Sequence, residues 1–414
     1  MNVTEKIKSL INSQKFLAIL LALVLSTLLI GFAPSSIALG IFIFFSIRYA
    51  IIHKQKLKID LVLLLPVVIY ILFILTLFWT VDLYASLNGL RRTIALILVP
   101  FAFSLLPAFS LKNYDLTLKY FTRVNILLGL FFVIVSLIRY SDTKEISVFM
   151  YHDFVNILRL NAIYVSSIFT MSIFYLLSKD KRSTIDKLAI LFLTYLILML
   201  SSKMILFIML LGYLIYAFSI WSKKKYRLGT FLIGVSVILL IGLTFSGVLN
   251  RFLVEKNTNI KEVLSKEKFG KIYPWTGSSI RILQLRILNE QIDEESIFWK
   301  GFGLYASQEN IKNRQIKLDI YKGFHDINYH NQYAQIFSEI GIFALILLIH
   351  MLFLNIKNAV KSKNFLFLMF SLSIPLIFIT ESFLWRQRGM FLFIILYCLL
   401  NRTTFTADKK EFLT

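Results

Sequence analysis

The chain has 414 residues, of which 57% are hydrophobic and 15% aromatic, and its formal net charge is +22. A soluble protein rarely has more than about half apolar residues, so the excess must face something other than water. The composition therefore excludes a water-soluble enzyme, and it disfavours nucleic-acid binding because most of the positive charge lies in short segments between apolar runs.

Apolar runs of roughly 20 residues recur along the chain, and a helix of that length crosses the hydrocarbon core of a bilayer. The first run has no small-residue cleavage site after it, so we expect it to be retained as a span. The pattern predicts an all-α polytopic bundle with about twelve transmembrane helices. Their predicted ranges are 16–33, 37–52, 59–79, 92–108, 121–138, 160–178, 187–201, 203–220, 228–249, 333–354, 364–381 and 389–401.

Lysine and arginine are concentrated in alternate short loops, such as 54–58 and 223–227. With twelve spans these loops and both termini fall on one side, which the positive-inside rule makes cytoplasmic. We therefore expect three parts. They are transmembrane helices 1–9 (residues 1–249), one large periplasmic loop (250–332), and transmembrane helices 10–12 with a cytoplasmic tail (333–414).

Several cationic residues lie on the predicted outer side, although the positive-inside rule places most cations on the cytoplasmic side. Each one alone could reach a lipid headgroup or pair with a nearby acid. Together they indicate an anion held at the membrane surface, since arginine forks match phosphate oxygens well. These cations are Arg91, Arg92, Arg159, Lys203, Arg281, Arg286, Arg386 and Arg388.

Residues 278–288 of the long loop have the pattern of an amphipathic helix. Ile280, Leu283 and Ile287 would share one face. Such a helix could lie along the outer interface and present Arg281 or Arg286 to a headgroup. An ordinary surface helix within the loop is the alternative.

His330 stands where the long loop enters the predicted tenth span. In a helix starting there, Asn331, Gln335 and Ser338 would line one face. Polar groups entering a membrane usually face a bundle interior or a cavity. An imidazole there could take a proton from a sugar hydroxyl, although a hydrogen-bonded interfacial histidine is the simpler alternative.

Other polar residues at the outer ends of spans are Tyr164 and Glu381, and Glu381 could pair with a nearby arginine. A zinc site at His325, Asp326 and His330 is a weaker alternative, because the spacing matches no specific signature and no cysteine is near.

Four segments resemble the bacterial O-antigen ligases and the related lipid-linked polysaccharide polymerases. The histidine motif, His330-Asn331 followed by Gly341, is the most specific of them. The others resemble a Trp-Ser-x-Asp loop, a loop arginine with a Gly-x-Gly turn, and a Thr-Glu-Ser exit segment. They are residues 79–82 with 91–92, 278–281 with 301–303, and 380–389.

The resemblance implies an all-helical glycosyltransferase of the bacterial inner membrane, with its active site facing the periplasm. It implies a glycan donor linked to undecaprenyl pyrophosphate, and no metal, cofactor or nucleic acid. His330 would be the acid/base group and Arg281 would hold the donor pyrophosphate. Weaker donor-binding candidates are Arg91, Arg92, Arg159 and Lys203, and supporting candidates are Arg286, Asn331, Glu381 and Tyr164.

The chain departs from the family pattern at two places. Lys203 stands where arginine is frequent, and Asn161-Ala162 stands where His-Pro is often seen. The resemblance does not separate a ligase, whose acceptor is lipid A-core, from a polymerase, whose acceptor is a growing glycan; the first is favoured weakly. A flippase or secondary transporter also fits twelve spans, but such proteins often show inverted repeats and charges at the midplane.

Overall fold

The computed structural model describes residues 3–221, 253–270 and 272–405. These residues are helical and contain no β-strand, only an isolated bridge between Phe109 and Thr403. The all-α prediction is confirmed for this part of the chain. The span predicted over 228–249 lies outside the described residues.

The helices before residue 222 include most of the long apolar ones. In chain order they are α1 (Val3–Ile11), α2 (Gln14–Thr27), α3 (Phe32–Ile52), α4 (Leu61–Leu75), α5 (Leu83–Thr93), α6 (Ala95–Leu105), α7 (Leu111–Thr143), α8 (Tyr151–Val155), α9 (Ala162–Ser178), α10 (Thr184–Leu200) and α11 (Lys203–Trp221).

The helices after residue 252 begin with short ones and end with three longer apolar ones. They are α12 (Ile260–Ser265), α13 (Gly277–Glu295), α14 (Gln308–Lys317), α15 (Gln332–Ile340), α16 (Ile342–Ser362), α17 (Phe365–Thr380) and α18 (Gln387–Asn401). We call residues 253–270 and 272–331 the loop segment.

Among the described residues, five helices are long and apolar enough to cross a membrane, and seven are if each of two bent helix pairs counts as one span. The five are Phe32–Ile52, Leu61–Phe78, Leu83–Leu105, Leu111–Thr143 and Ile342–Ser362. Helices of this length and composition are those of an integral membrane protein. The total of twelve spans and their orientation remain predictions.

Two helices form the centre of the bundle. Helix α18 is buried from Gly389 to Leu400, and α9 is buried almost throughout from Ala162 to Leu177. A helix that is apolar on all sides belongs in such a core. Cys398 lies in the buried part of α18, as expected for a small hydrophobic residue.

The predicted tenth span differs most from the structure. It was expected over 333–354, but the chain forms α15 and α16 with a break at Gly341, whose φ is +87°. A Cβ on Gly341 would lie 2.2 Å from the Trp299 carbonyl oxygen. The close approach of the loop segment therefore requires glycine, and the positive φ stops the helix.

Two other span boundaries also differ. The fourth was expected from residue 92, but α5 already begins after Asp82, whose side chain caps it by accepting from the Ala85 N–H at 2.9 Å. Arg91 and Arg92 therefore lie within the Leu83–Leu105 helical span rather than at its start. The fifth was expected over 121–138, whereas α7 is longer at both ends.

The helix predicted over 278–288 is part of α13, and its predicted apolar face is correct. Ile280, Leu283 and Ile287 are buried against Val263 and Phe269 of the same loop segment. The apolar face is thus covered by protein, so the structure agrees with a helix packed within the loop and not with one laid on a lipid surface.

The glycine contact at the α15–α16 break can be tested by adding one methyl group. Gly341→Ala should destabilise the protein by on the order of 3 kcal/mol, because the positive φ and the clash with a backbone carbonyl add together. The measurement is the thermal unfolding midpoint of the purified protein in detergent. Gly40→Ala is the control, since a Cβ there meets nothing within 4 Å, and it should leave the midpoint unchanged or raise it. Equal midpoints for the two variants would contradict this account.

Candidate functional site

His330 lies at the junction between the loop segment and α15. Its backbone is left-handed, with φ of +46°, and its N–H donates to Asn328 Oδ1 at 3.0 Å. The side chain is one-third exposed, and Nδ1 lies 3.5 Å from Glu381 Oε1. The imidazole thus has one nitrogen turned to a buried carboxylate and remains partly open to solvent.

Asn331 attaches this junction to the end of α17. Its Oδ1 caps α15 by accepting from the Ala334 N–H at 3.0 Å, while its Nδ2 donates to the Ile379 carbonyl at 3.2 Å. One amide therefore fixes both the start of α15 and the distance to the residues that precede Glu381. Asn is a common N-cap residue, so the capping role of Asn331 also follows from the ordinary preferences of helix N-termini.

Glu381 is the carboxylate at the centre of the site. Its side chain is only 8% exposed, and the same oxygen that faces His330 lies 3.7 Å from Arg281 Nη2. A buried carboxylate is stable only with charged or hydrogen-bonding partners, and these two residues supply them. The sequence pointed to a pairing with Arg386 or Arg388, whereas in the structure the Glu381 carboxylate lies within 4.0 Å of Arg281 and His330.

Arg281 projects from the first turns of α13 toward the end of α17. Its Nε donates to the Thr380 carbonyl at 3.1 Å, and Nη1 donates to the Gly277 carbonyl at 2.7 Å. A guanidinium has five N–H donors, so these bonds fix its plane and leave further donors for an anion.

Lys203, at the start of α11, reaches the same end of α13 through a glutamate. Its Nζ lies 2.5 Å from Glu255 Oε1, and Glu255 Oε2 accepts from the Ser278 N–H at 3.0 Å. A Cβ on Gly277 would lie 3.1 Å from Glu255 Oε1 and 3.2 Å from Arg281 Nη1. Lys203, Glu255, Arg281, Glu381 and His330 therefore form a continuous series of charged groups, which we call the polar row.

The pKa of Glu255 reflects these contacts. Burial alone would raise it, but hydrogen bonds from Lys203 and Ser278 outweigh burial and lower the pKa from its ordinary 4.5 to about 2. The carboxylate is therefore charged at neutral pH and links α11 to the start of α13.

A buried set of amides supports the polar row from behind. Ser382 Oγ donates to Gln335 Oε1 at 3.1 Å, and Gln335 Nε2 donates to Glu339 Oε1 at 2.5 Å. The Leu384 N–H donates to Gln332 Oε1 at 2.7 Å. These bonds hold the segment after α17 against α15, so the two residues that meet at the site, His330 and Glu381, are fixed relative to each other.

Tyr164 lies next to the polar row without a direct bond to it. Its ring stacks on Phe383, with centroids 5.1 Å apart and planes 9° apart. Glu381 and Arg386 are close enough to act on it electrostatically. The supporting position expected for Tyr164 is consistent with this placement.

The structure separates other predicted residues from the polar row. Arg286 bonds to Glu290 and to the Val263 and Lys266 carbonyls, all within the loop segment. Arg91 is exposed, and its side-chain hydrogen bond within the described residues goes to Asn88, at 3.4 Å. Exposed Arg159 follows a 3₁₀ turn with φ of +50°. The guanidinium of Arg92 lies over the Tyr305 ring.

The residues of the zinc alternative do not form a ligand set. His325 Nε2 lies 2.9 Å from the Ile320 carbonyl oxygen, and His330 faces Glu381. Within the described ranges, no three His, Cys, Asp or Glu side chains are grouped so that they could hold a metal ion.

Glu255 and the Tyr305–Trp385 ring pair were not expected from the sequence. Glu255 is one of several acids in a polar loop, and no spacing distinguishes it. Trp385 had one usable signal, since it directly precedes Arg386 at a span entrance.

Residues 188–349 match the family model described as O-Antigen ligase. No curated protein matches the chain. The matched segment includes Lys203, Arg281 and His330 and ends before Glu381. The resemblance seen in the sequence is thus confirmed by an independent match over the part of the chain that supplies most of the polar row.

The Lys203–Glu255 contact should make stability depend on acid pH. The folded pKa of Glu255 is depressed, so its contribution is present above about pH 4.5 and is lost as pH falls toward about 2. Glu255→Gln should therefore lower the thermal midpoint at pH 6 and should match the parent protein near pH 2. Glu309→Gln serves as the control, because Glu309 is exposed and has no ion pair within 4.0 Å among the described residues. A constant difference between parent and Glu255→Gln across this range would refute the assignment.

Proposed function

Because residues 188–349 carry the O-antigen ligase domain, we propose that the protein is a glycosyltransferase of the bacterial inner membrane. It would move a glycan from undecaprenyl pyrophosphate to a sugar hydroxyl of lipid A-core. The observation that supports this best is the contact of the Glu381 carboxylate with both His330 and Arg281. In this proposal a proton acceptor, His330, would lie beside an anion-binding group, Arg281.

His330 would act as the general base. Its Nδ1 faces Glu381, so Nε2 is available to the acceptor hydroxyl, and the carboxylate stabilises the imidazolium that forms. The acceptor oxygen bonds to the anomeric carbon of the donor while the bond from that carbon to the pyrophosphate oxygen breaks. The electron pair leaves with the lipid pyrophosphate, and the hydroxyl proton goes to His330. General base catalysis of this kind contributes roughly 10²–10⁴-fold.

Arg281 and Lys203 would hold the donor pyrophosphate. Arg281 lies in the first turns of α13, and Lys203 lies at the start of α11 and reaches α13 through Glu255. Both are partly exposed, at 30% and 29% of their side chains. An incoming pyrophosphate would share them with Glu381 and Glu255, and fixed cations would stabilise the charge of the leaving group. Arg91 and Arg159 are secondary candidates for the donor, and Asn331 and Tyr164 would support the site by position.

In this proposal the cations replace a metal ion, and no cofactor takes part. Transfer by the purified protein should therefore continue in excess chelator. If chelation stops transfer and a divalent cation restores it, the metal-independent mechanism is wrong.

We further propose that the chain has twelve spans, cytoplasmic termini and a periplasmic loop over 250–332. Cys398 is the single cysteine and is buried, so a Cys398→Ser background permits site-specific labelling. An impermeant maleimide should label Lys317→Cys in intact spheroplasts and Lys361→Cys only after permeabilisation, since both positions are exposed. The reverse labelling pattern would contradict this topology.

The catalytic proposal predicts loss of glycan display when the two central residues are replaced. His330→Ala and Arg281→Ala should each lower the rate at which glycan appears on the cell surface by at least about 100-fold, at matched protein levels. His325→Ala is a matched control and should leave display unchanged, because the side chain of this histidine in the same loop segment contacts a backbone carbonyl, that of Ile320, and not the polar row. Full display by both variants would rule out the proposed roles.

A polymerase of the same family is the alternative within this class. Loss of long chains with single-repeat addition retained would indicate a polymerase, whereas loss of all glycan on lipid A-core would indicate a ligase. An assay of the purified protein in detergent distinguishes a transferase from a flippase, because detergent leaves no two compartments between which a flippase could transport. Formation of a new glycosidic product there is evidence for a transferase.

A further inference from the structure

Two aromatic rings are stacked beside the polar row. The centroids of Tyr305 and Trp385 are 4.6 Å apart and their planes differ by 13°. The Tyr305 hydroxyl also donates to the Trp385 carbonyl at 2.5 Å. The hydrogen bond and the stacking together prevent either ring from turning, so the pair is a rigid platform.

An arginine lies against each ring of this platform. The Arg92 guanidinium carbon is 5.6 Å from the Tyr305 centroid, and that of Arg386 is 5.2 Å from the Trp385 ring. We call these four residues, Arg92, Tyr305, Trp385 and Arg386, the arginine stack.

The arginine stack differs electrostatically from the polar row. Arg281 and Lys203 each have a carboxylate partner, whereas neither Arg92 nor Arg386 has one within 4.0 Å in the part of the chain that the structure describes. Both are exposed. Cation–π stacking fixes a guanidinium plane without neutralising its charge, so its N–H edge stays available.

Fixed cations without a counter-ion attract anions, and paired guanidinium forks suit phosphate or carboxylate oxygens. Tyr305 and Trp385 add no negative charge. The arginine stack therefore has the chemistry of an anion site that is already formed in the free protein.

Its position relative to His330 limits what the anion can be. Trp385 is four residues after Glu381, along a 3₁₀ turn over Phe383–Trp385. The turn covers only the last three of these residues, and the backbone is extended at Glu381, so Trp385 is carried away from the carboxylate along the chain. The leaving pyrophosphate is bonded to the carbon that the acceptor attacks, so it must stay beside His330. A second anion at the arginine stack must therefore belong to another part of the substrates.

We propose that the arginine stack binds an anionic substituent, a phosphate or a carboxylate, on the acceptor glycan. The identity of the acceptor rests on the proposed glycosyltransferase function. In this arrangement the acceptor hydroxyl lies at His330 while its charged group lies on Arg92 and Arg386. Arg92, a donor candidate by sequence, is thereby assigned to the acceptor side.

The test measures binding of glucose 6-phosphate to the full-length protein in phosphatidylcholine nanodiscs, by calorimetry. Arg92→Gln and Arg386→Gln should each weaken binding by about 10-fold, since each removes one charge-assisted contact. Arg386→Lys should weaken it less, because the charge is kept and the fork is lost. Arg139→Gln should bind like the parent, because this half-buried arginine lies outside the arginine stack and its hydrogen bond in the described residues goes to the Asp153 carbonyl.

Two comparisons identify the source of the anion. Glucose should not bind measurably, and inorganic phosphate should bind more weakly than the sugar phosphate. Equal binding of inorganic phosphate would overturn the glycan assignment. If replacing part of the phosphatidylcholine with phosphatidylglycerol abolishes sugar-phosphate binding, the site takes lipid headgroups and the proposal is wrong. Unchanged affinity in both glutamine variants would also overturn it.

His330→Ala separates this inference from the proposed catalysis. That variant should still bind glucose 6-phosphate like the parent, because His330 makes no contact with the arginine stack in the described structure. Inactive His330→Ala with intact binding supports both proposals. Active His330→Ala with binding that depends on Arg92 and Arg386 would reject the catalytic role alone.

Discussion

The backbone of the loop segment packs directly on the α15–α16 break, and the rest of the site depends on this contact. Phe302 and Gly303 donate to the carbonyls of Ser338 and Glu339 at 2.9 and 2.8 Å, and a Cβ on Gly301 would lie 2.2 Å from the Glu339 carbonyl carbon. Only glycine permits such an approach. Because α15 is thereby a separate short helix, its amides face the segment after α17 and hold Glu381 in place.

Charge is distributed differently on the two sides of the 381–385 segment. In the polar row, cations and carboxylates alternate, so a ligand must exchange with an existing ion pair, which favours a strongly charged group such as pyrophosphate. In the arginine stack, Arg92 and Arg386 are held by rings and have no such partner. The segment 381–385 therefore lies between a site whose cations have carboxylate partners and a site whose cations have none within 4.0 Å in the described residues. Two substrates with different charged groups would require such a difference.

Local patterns predicted the elements better than they predicted the partners. The apolar face of α13 was correct because it follows from spacing alone. His330 was placed at a helix start because the apolar run of the predicted tenth span begins just after it. The partner of Lys203 was not predictable, since Glu255 is 52 residues away and nothing local sets it apart from other loop acids. The break at Gly341 was missed because an apolar run continues through it.

By itself, the sequence determined that the chain is helical and membrane-embedded, since those properties depend on composition and on period along the chain. It also singled out His330, because polar residues at span ends are costly and few, and Arg281, because it lies on a predicted loop helix in a segment that resembles the family's loop arginine. Only the tertiary structure decided that Glu381 contacts both of these residues. It also decided that Arg286 bonds within the loop segment and that the Arg92 guanidinium lies over the Tyr305 ring. The contacts of Glu381 and of Arg92 join residues that are 51 to 213 positions apart, and side-chain packing rather than local propensity selects such pairs.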